Sequence, residues 1–233
     1  MAQAMSFKTK EEYVAEFLRE SILAGRFLRG TRLKQAEIAQ QLDISITPVR
    51  EAFRMLEAEG YVLNITHRGV VVAPFDASAT REIIELRVTL ESRLVLAAMR
   101  HMSPDEYAAL EKLEHEFTQA IAKGDRPAVR AANYRFHSHL YSLAQQPQTL
   151  HFVQILWAKY PFDLINMISG RVGRAAQEHR DILKAIAAGN EPAALAAVRR
   201  HIEAGWHELQ QDLDQAGATA SPARSQSEKR SSV

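Results

Sequence analysis

Beyond Ser78, every periodic stretch of this 233-residue chain repeats its apolar residues at the helical interval, and none alternates at the strand period. A segment of that kind can hide its apolar faces only by packing helix against helix. Six stretches are legible, at about 78–101, 104–122, 126–144, 148–169, 172–188 and 191–214. Pro104, Gly124-Asp125, Pro147, Gly170 and Gly189-Asn190 punctuate them. No internal repeat relates one stretch to another, so the expected form is a compact six-helix bundle and not a solenoid.

The pattern ahead of this region is different. Val14, Phe17, Leu18, Ser21 and Ile22 keep the helical period until Gly25, and a second, short helix carries Ile38, Ala39 and Leu42. A third helix starts after Ser45, a good N-cap, with Pro48 in the first turn where a missing N–H costs little, and runs to Gly60. Its inward stripe is Val49, Ala52, Phe53 and Leu56, which leaves Thr47, Arg50, Glu51 and Arg54 toward solvent. Tyr61 to Ile65 and Val70 to Val72 read as two strands around a Thr66-His67-Arg68-Gly69 turn. Helix, short turn, helix and hairpin in that order make a winged helix-turn-helix, whose third helix can enter a major groove.

The β-branched run ends at Ala73-Pro74-Phe75-Asp76, which places a domain boundary there. The expected fold is therefore mainly α: a winged helix-turn-helix over 1–76 and a six-helix all-α bundle over 77–215. From Ala216 the composition turns to Ser, Ala and Gln without apolar periodicity, and 216–233 is expected to be a disordered tail.

Composition narrows the function classes. The absence of cysteine excludes a disulfide scaffold, a cysteine zinc finger and a thiol nucleophile, and it fits a reducing compartment. With 29 Lys+Arg against 28 Asp+Glu no global field draws the chain to nucleic acid, so any DNA contact has to be local. No apolar run approaches membrane-spanning length, and Met1 to Lys10 lacks a signal-peptide core. The expectation is a cytoplasmic protein without membrane partners.

The residues Ala24-Gly25-Arg26-Phe27, Arg32-Leu33, Ile38-Ala39, Leu42, Ser45-Ile46-Thr47-Pro48-Val49-Arg50-Glu51-Ala52 and Leu56-Glu57-Ala58-Glu59-Gly60-Tyr61 carry a resemblance to the GntR family of bacterial repressors. The resemblance spans about Tyr13 to Ala73 and implies a homodimeric, effector-controlled transcription regulator on a palindromic double-stranded DNA operator. Thr47, Arg50 and Arg54 are then the DNA-facing residues of the third helix, where a guanidinium reaches a guanine edge or a phosphate. The bland reading of Arg50 is a solvated helix face with acidic neighbours. At the hairpin tip Gly69 permits close backbone approach to a minor groove, with His67 and Arg68 beside it for phosphate; a simple tight turn is the alternative. Two positions depart from the family pattern, since Ile46 and Ala36 stand where basic residues are frequent. Arg19, Arg26, Arg29, Arg32 and Lys34 are candidate phosphate contacts in their place, or ordinary solubilising charge.

A second constellation lies in the bundle. Asn133 and His137 are four residues apart on one helix face, while His179 and His201 fall on the fifth and sixth bundle helices. Histidines scattered along a chain prove nothing by themselves. Their contexts, Asn133-Tyr134-Arg135-Phe136-His137, Glu178-His179-Arg180-Asp181-Ile182 and Arg199-Arg200-His201-Ile202, resemble the FCD ligand-binding domain of FadR-type regulators, with six helices as in the VanR-type subgroup. The resemblance implies that these four positions hold a divalent metal, zinc first and nickel, manganese or iron otherwise, and that a small carboxylate effector binds beside it. Asn replaces the commoner Asp at 133, which leaves a more positive, weaker metal site. Arg87 lies in the apolar stripe Ile83, Leu86, Leu90, Leu94 and Ala97, where a guanidinium needs an anion. Its partner is either Glu91 one turn on or the effector carboxylate. Two rival readings are a metal-dependent hydrolase fused to a DNA-binding module, with Glu178 as its base, and a metal-free dimerisation scaffold. The absence of His-Glu-x-x-His, Gly-x-Ser-x-Gly and phosphate-loop motifs argues against the enzyme.

Overall fold

Thr9 caps the first helix, α1 (Lys10–Leu23), by accepting from the Glu12 N–H while the Glu12 carboxylate returns to the Thr9 N–H, a reciprocal capping box. It is followed by α2 (Gln35–Gln41) and α3 (Ile46–Ala58), then by β1 (Val62–Ile65) and β2 (Gly69–Val72). These elements belong to a computed structural model that describes residues 9–76, 78–165 and 168–219. The two strands pair antiparallel with Val62 opposite Val72 and Ile65 opposite Gly69, and Arg32 bridges to Val71 on the outer edge of β2. His67 and Gly69 both take positive φ, 65° and 75°, which makes the turn tight enough for so short a wing.

The rest is helical: α4 (Thr80–His101), α5 (Pro104–Lys123), α6 (Arg126–Ser142), α7 (Pro147–Lys159), α8 (Phe162–Ile165), α9 (Arg171–Ala187) and α10 (Glu191–Thr219). Proline sits in the first turn of α5, α6 and α7, and Gly124 ends α5 in the left-handed region at φ 67°. The stretch expected as one helix over 148–169 is broken. Tyr160 is extended ahead of Pro161, whose ring disfavours a helical residue before it, so the chain splits into α7 and the short α8. The last helix carries on past Ala216 to Thr219, and residues 220–233 of the expected tail lie outside the described residues.

The α3 stripe is as expected, with Val49, Ala52, Phe53 and Leu56 all buried. On α4 the expected stripe holds at Ile83, Leu94 and Ala97, with Arg87 buried among them, and fails at Leu86, which is 43% exposed; the buried face also takes in Ile84, Glu91, Val95 and Ala98, so a charged pair sits inside it. Apolar contact is continuous from the winged helix, through Leu18, Leu56 and Tyr61, into the bundle core of Leu94, Leu140, Ile182 and Ile202.

One expected phosphate contact is internal. Arg19 on α1 is buried and forks onto Glu59 with two bonds of 2.7 Å, tying α1 to the end of α3. Removing one partner of a buried pair strands the other charge, so Glu59→Ala is expected to cost about 3–5 kcal/mol of unfolding free energy. Glu51→Ala, which breaks the exposed Glu51–Arg54 pair, should stay within about 0.5 kcal/mol. Urea unfolding of the two variants checks the contrast.

Candidate metal centre and nucleic-acid interface

The solvent face of α3 begins at Ser45, which takes the N-cap conformation while its side chain makes no capping bond. Thr47 and Arg50 are exposed on a solvated helix face, and Arg50 has no ion pair among the described residues. Arg54 is held by Glu51 at 3.1 Å. On the wing His67 and Arg68 are exposed, and the Arg32 guanidinium lies 3.7 Å from where a Cβ on Gly69 would stand. Arg32 therefore adds a cation to the wing. Lys34 and Arg26 are paired with Glu37 and Glu20, and Arg29 reaches the carbonyls of Ala73 and Tyr160 at the junction of the two halves.

In the bundle, His137 of α6, His179 of α9 and His201 of α10 meet. Their ring centroids are 4.9 Å apart in all three pairs, an equilateral arrangement. The Nε2 atom of His137 lies 3.2 Å from that of His179 and 3.0 Å from that of His201. Three neutral imidazoles whose lone pairs crowd together repel unless a cation or a shared proton sits among them. Spacings of this size also suit neighbouring ligands on one ion held about 2.0–2.1 Å from each nitrogen. The ring orientations are set from behind. Glu178 accepts from His201 Nδ1 at 2.7 Å, which directs the Nε2 lone pair inward, and Arg171 grips Glu178 with two bonds of 3.0 and 2.9 Å. Phe136 stacks on the His179 ring at 4.4 Å. The Nδ1 atoms of His137 and His179 are buried without a hydrogen-bond partner among the described residues. The donor set thus fits a divalent ion, with His137, His179 and His201 as the residues able to hold it.

His137 also lines a narrow cavity of about 20 Å³, together with Asn133, Arg87, Arg130, Tyr134, Trp157, Phe162 and Leu23. Asn133, one turn before His137, is half-buried, and its amide makes no hydrogen bond among the described residues. Arg87 is buried with its Nε on Glu91 at 2.7 Å and its guanidinium carbon 4.2 Å from the Tyr160 ring centre. The Glu91 pair is therefore present, yet it uses only Nε. The rest of the guanidinium lies against the Tyr160 and Phe162 rings, and the side chain still lines the cavity. Glu91 is fully buried and also accepts from Tyr141 at 2.7 Å and Trp157 at 3.0 Å. Sequence reasoning did not find this hub. The signal available was Tyr141 four residues after His137, on the same face of α6.

Burial pushes His137 down to about 4, with the Arg87 charge adding to the effect and Glu91 opposing it. Burial also holds His179 and His201 well below the ordinary range, reinforced by the neighbouring histidines and Arg171. All three are neutral near pH 7, as metal ligands must be. In chelator-stripped protein the unfolded histidines take up protons below their ordinary 6.5 while the folded ones resist, His137 down to about 4 and His179 and His201 likewise well below the ordinary range. Stability is expected to be flat above that window and to fall through it on acidification, by about 1.4 kcal/mol per pH unit for each histidine. Urea unfolding across pH 4–7 measures the slope; a flat profile would contradict neutral buried imidazoles.

A family model described as "Bacterial regulatory proteins, gntR family" matches residues 10–72, and one described as "FCD domain" matches residues 82–204. The "Nta operon transcriptional regulator" of Aminobacter aminovorans is 27% identical over 186 residues, 78% of this chain and 86% of that protein. The "Probable D-xylose utilization operon transcriptional repressor" of Paenarthrobacter nicotinovorans is 29% identical over 199 residues, 84% and 87% of the two chains. The solved structure of E. coli McbR/YncC shares the fold, with a TM-score of 0.76 at 23% identity over 89% of this chain and 100% of that one. No helix among the described residues is long and apolar enough to cross a membrane.

Proposed function

The chain belongs to the GntR family of transcription regulators and carries an FCD domain, not an enzyme's catalytic apparatus, and from that premise we propose a cytoplasmic, homodimeric repressor whose operator binding is released by a small organic acid. The observation that carries this reading is the shared cavity, which sets Arg87 and the wall of the histidine cluster on one space. A carboxylate there meets the Arg87 guanidinium and the amide of Asn133 beside His137. His137, His179 and His201, with Asn133 as a neutral oxygen donor, would hold a divalent ion, zinc by preference, which supplies positive charge for the acid. Repression is supported by the name of the Paenarthrobacter relative.

The cavity is also the place where the two halves meet. Leu23, the last residue of α1, lines it, and Arg130 on α6 donates to the Ala24 carbonyl at 2.6 Å. Tyr134 reaches Glu16 at 2.7 Å and Arg135 reaches Glu20 at 3.1 Å, both on α1. A ligand that shifts α6 therefore shifts the first helix of the DNA-binding domain, and the spacing of two such domains in a dimer follows. For the dimer itself, Leu86 on α4 and Phe152 on α7, 43% and 56% exposed, are apolar side chains the isolated bundle leaves uncovered.

Purified protein is expected to carry one divalent ion per chain, to lose thermal stability with a chelator, and to lose the ion in His179→Ala. Background metal content after growth in zinc, nickel and manganese supplements would end the metal proposal. Among short-chain mono- and dicarboxylic acids, one that releases operator from the wild type should fail on Arg87→Ala. Release from that variant would assign Arg87 to Glu91 alone. Arg50→Ala should weaken operator binding by about 1–3 kcal/mol at moderate salt with helicity unchanged, as followed by fluorescence anisotropy.

A further inference from the structure

The leading edge of α3 is polar except at one place. Ser45, Thr47, Arg50 and Arg54 are exposed there, and among them stands Ile46, the first residue of the helix, with 44% of its surface in water. The buried stripe of α3 starts only at Pro48 and Val49, so Ile46 lies outside the core of the winged helix. Nothing in the capping of the helix uses it either. The inference rests on the proposed function, which puts α3 in the major groove: a branched aliphatic group left in water beside Arg50 at the tip of that helix has one apolar feature to meet on a base edge. In the major groove that feature is the C5-methyl group of thymine.

We propose that Ile46 is a specificity-determining residue that contacts a thymine methyl in each half-site of the operator. Ile46 and Arg50 are four residues apart and share a face of α3. Their separation along the axis is about 6 Å, so at about 3.4 Å per base pair the thymine lies within about two base pairs of the base edge that Arg50 reaches. A basic residue at position 46 would instead favour guanine or phosphate. The isoleucine thus changes which operators this chain accepts, not whether it binds DNA.

The test uses the full-length protein and DNA selected by it from a random duplex pool, with each thymine of the selected site replaced in turn by deoxyuridine, which removes only the methyl group. The wild type is expected to lose about fourfold in affinity at one thymine per half-site. Ile46→Ala should show no penalty at that base, and Ile46→Arg should select a different base there. Because Ile46 is exposed, both variants should keep the wild-type circular dichroism. Tolerance of deoxyuridine at every position by the wild type would overturn the proposal without reference to any variant. So would an undiminished penalty in Ile46→Ala, or a selected site with no thymine near the Arg50 base.

Discussion

Three imidazoles from three helices, with His137 Nε2 about 3 Å from those of His179 and His201, are the constraint around which the helical bundle is arranged. Protonating them is opposed by burial and by each other, and leaving them neutral crowds their lone pairs together unless a cation or a shared proton sits among them. The surrounding side chains serve to hold that geometry. Glu178 turns His201 inward and Arg171 fixes Glu178, while Phe136 stacks on His179. Arg87, Glu91, Tyr141 and Trp157 form a second buried polar group around one fully satisfied carboxylate. Such a group costs more to half-satisfy than to omit, so its completeness fixes how α4, α6 and α7 pack.

One helix connects this centre to the DNA-binding half. On α6, Asn133 and His137 face the cavity, while Arg130, Tyr134 and Arg135 hold α1. The two functions are interleaved within two turns of a single rigid element. Further bonds close the junction: Tyr61 donates to the Gln154 carbonyl at 2.9 Å, and Arg29 donates to the Tyr160 carbonyl at 2.9 Å. A winged helix docked through so many polar contacts has a defined position, and a defined position is what a ligand can change.

Most of the architecture was legible because it rests on local chemistry: proline and glycine punctuation, the α3 stripe and the hairpin turn. Tertiary effects explain what was not. The break at Tyr160-Pro161 was masked by apolar residues that keep a helical spacing on both sides of it. Arg19 reads as a surface cation until Glu59, forty residues away, is brought against it. The α4 stripe was misread at Leu86 because a charged residue inside the core is invisible to apolar periodicity, and only the proximity of Glu91, Tyr141 and Trp157 shows why it is tolerated. At the site, the residues His137, His179 and His201 came from a family resemblance; spacing alone placed only Asn133 and His137 on one face. The carboxylate behind His201 was legible as a residue beside His179 but not as its partner.

The central claim is that one cavity both binds an acid and reports it to the winged helix through α1. Binding free energies are reciprocal, so an acid that weakens operator binding must itself bind less tightly when operator is present, by the same factor. Isothermal titration of the metal-loaded protein with a releasing acid, in the absence and then the presence of saturating operator, measures that factor directly. The account predicts a weaker acid affinity with operator bound, matching the loss of DNA affinity caused by the acid. Equal acid affinity in the two titrations would contradict it.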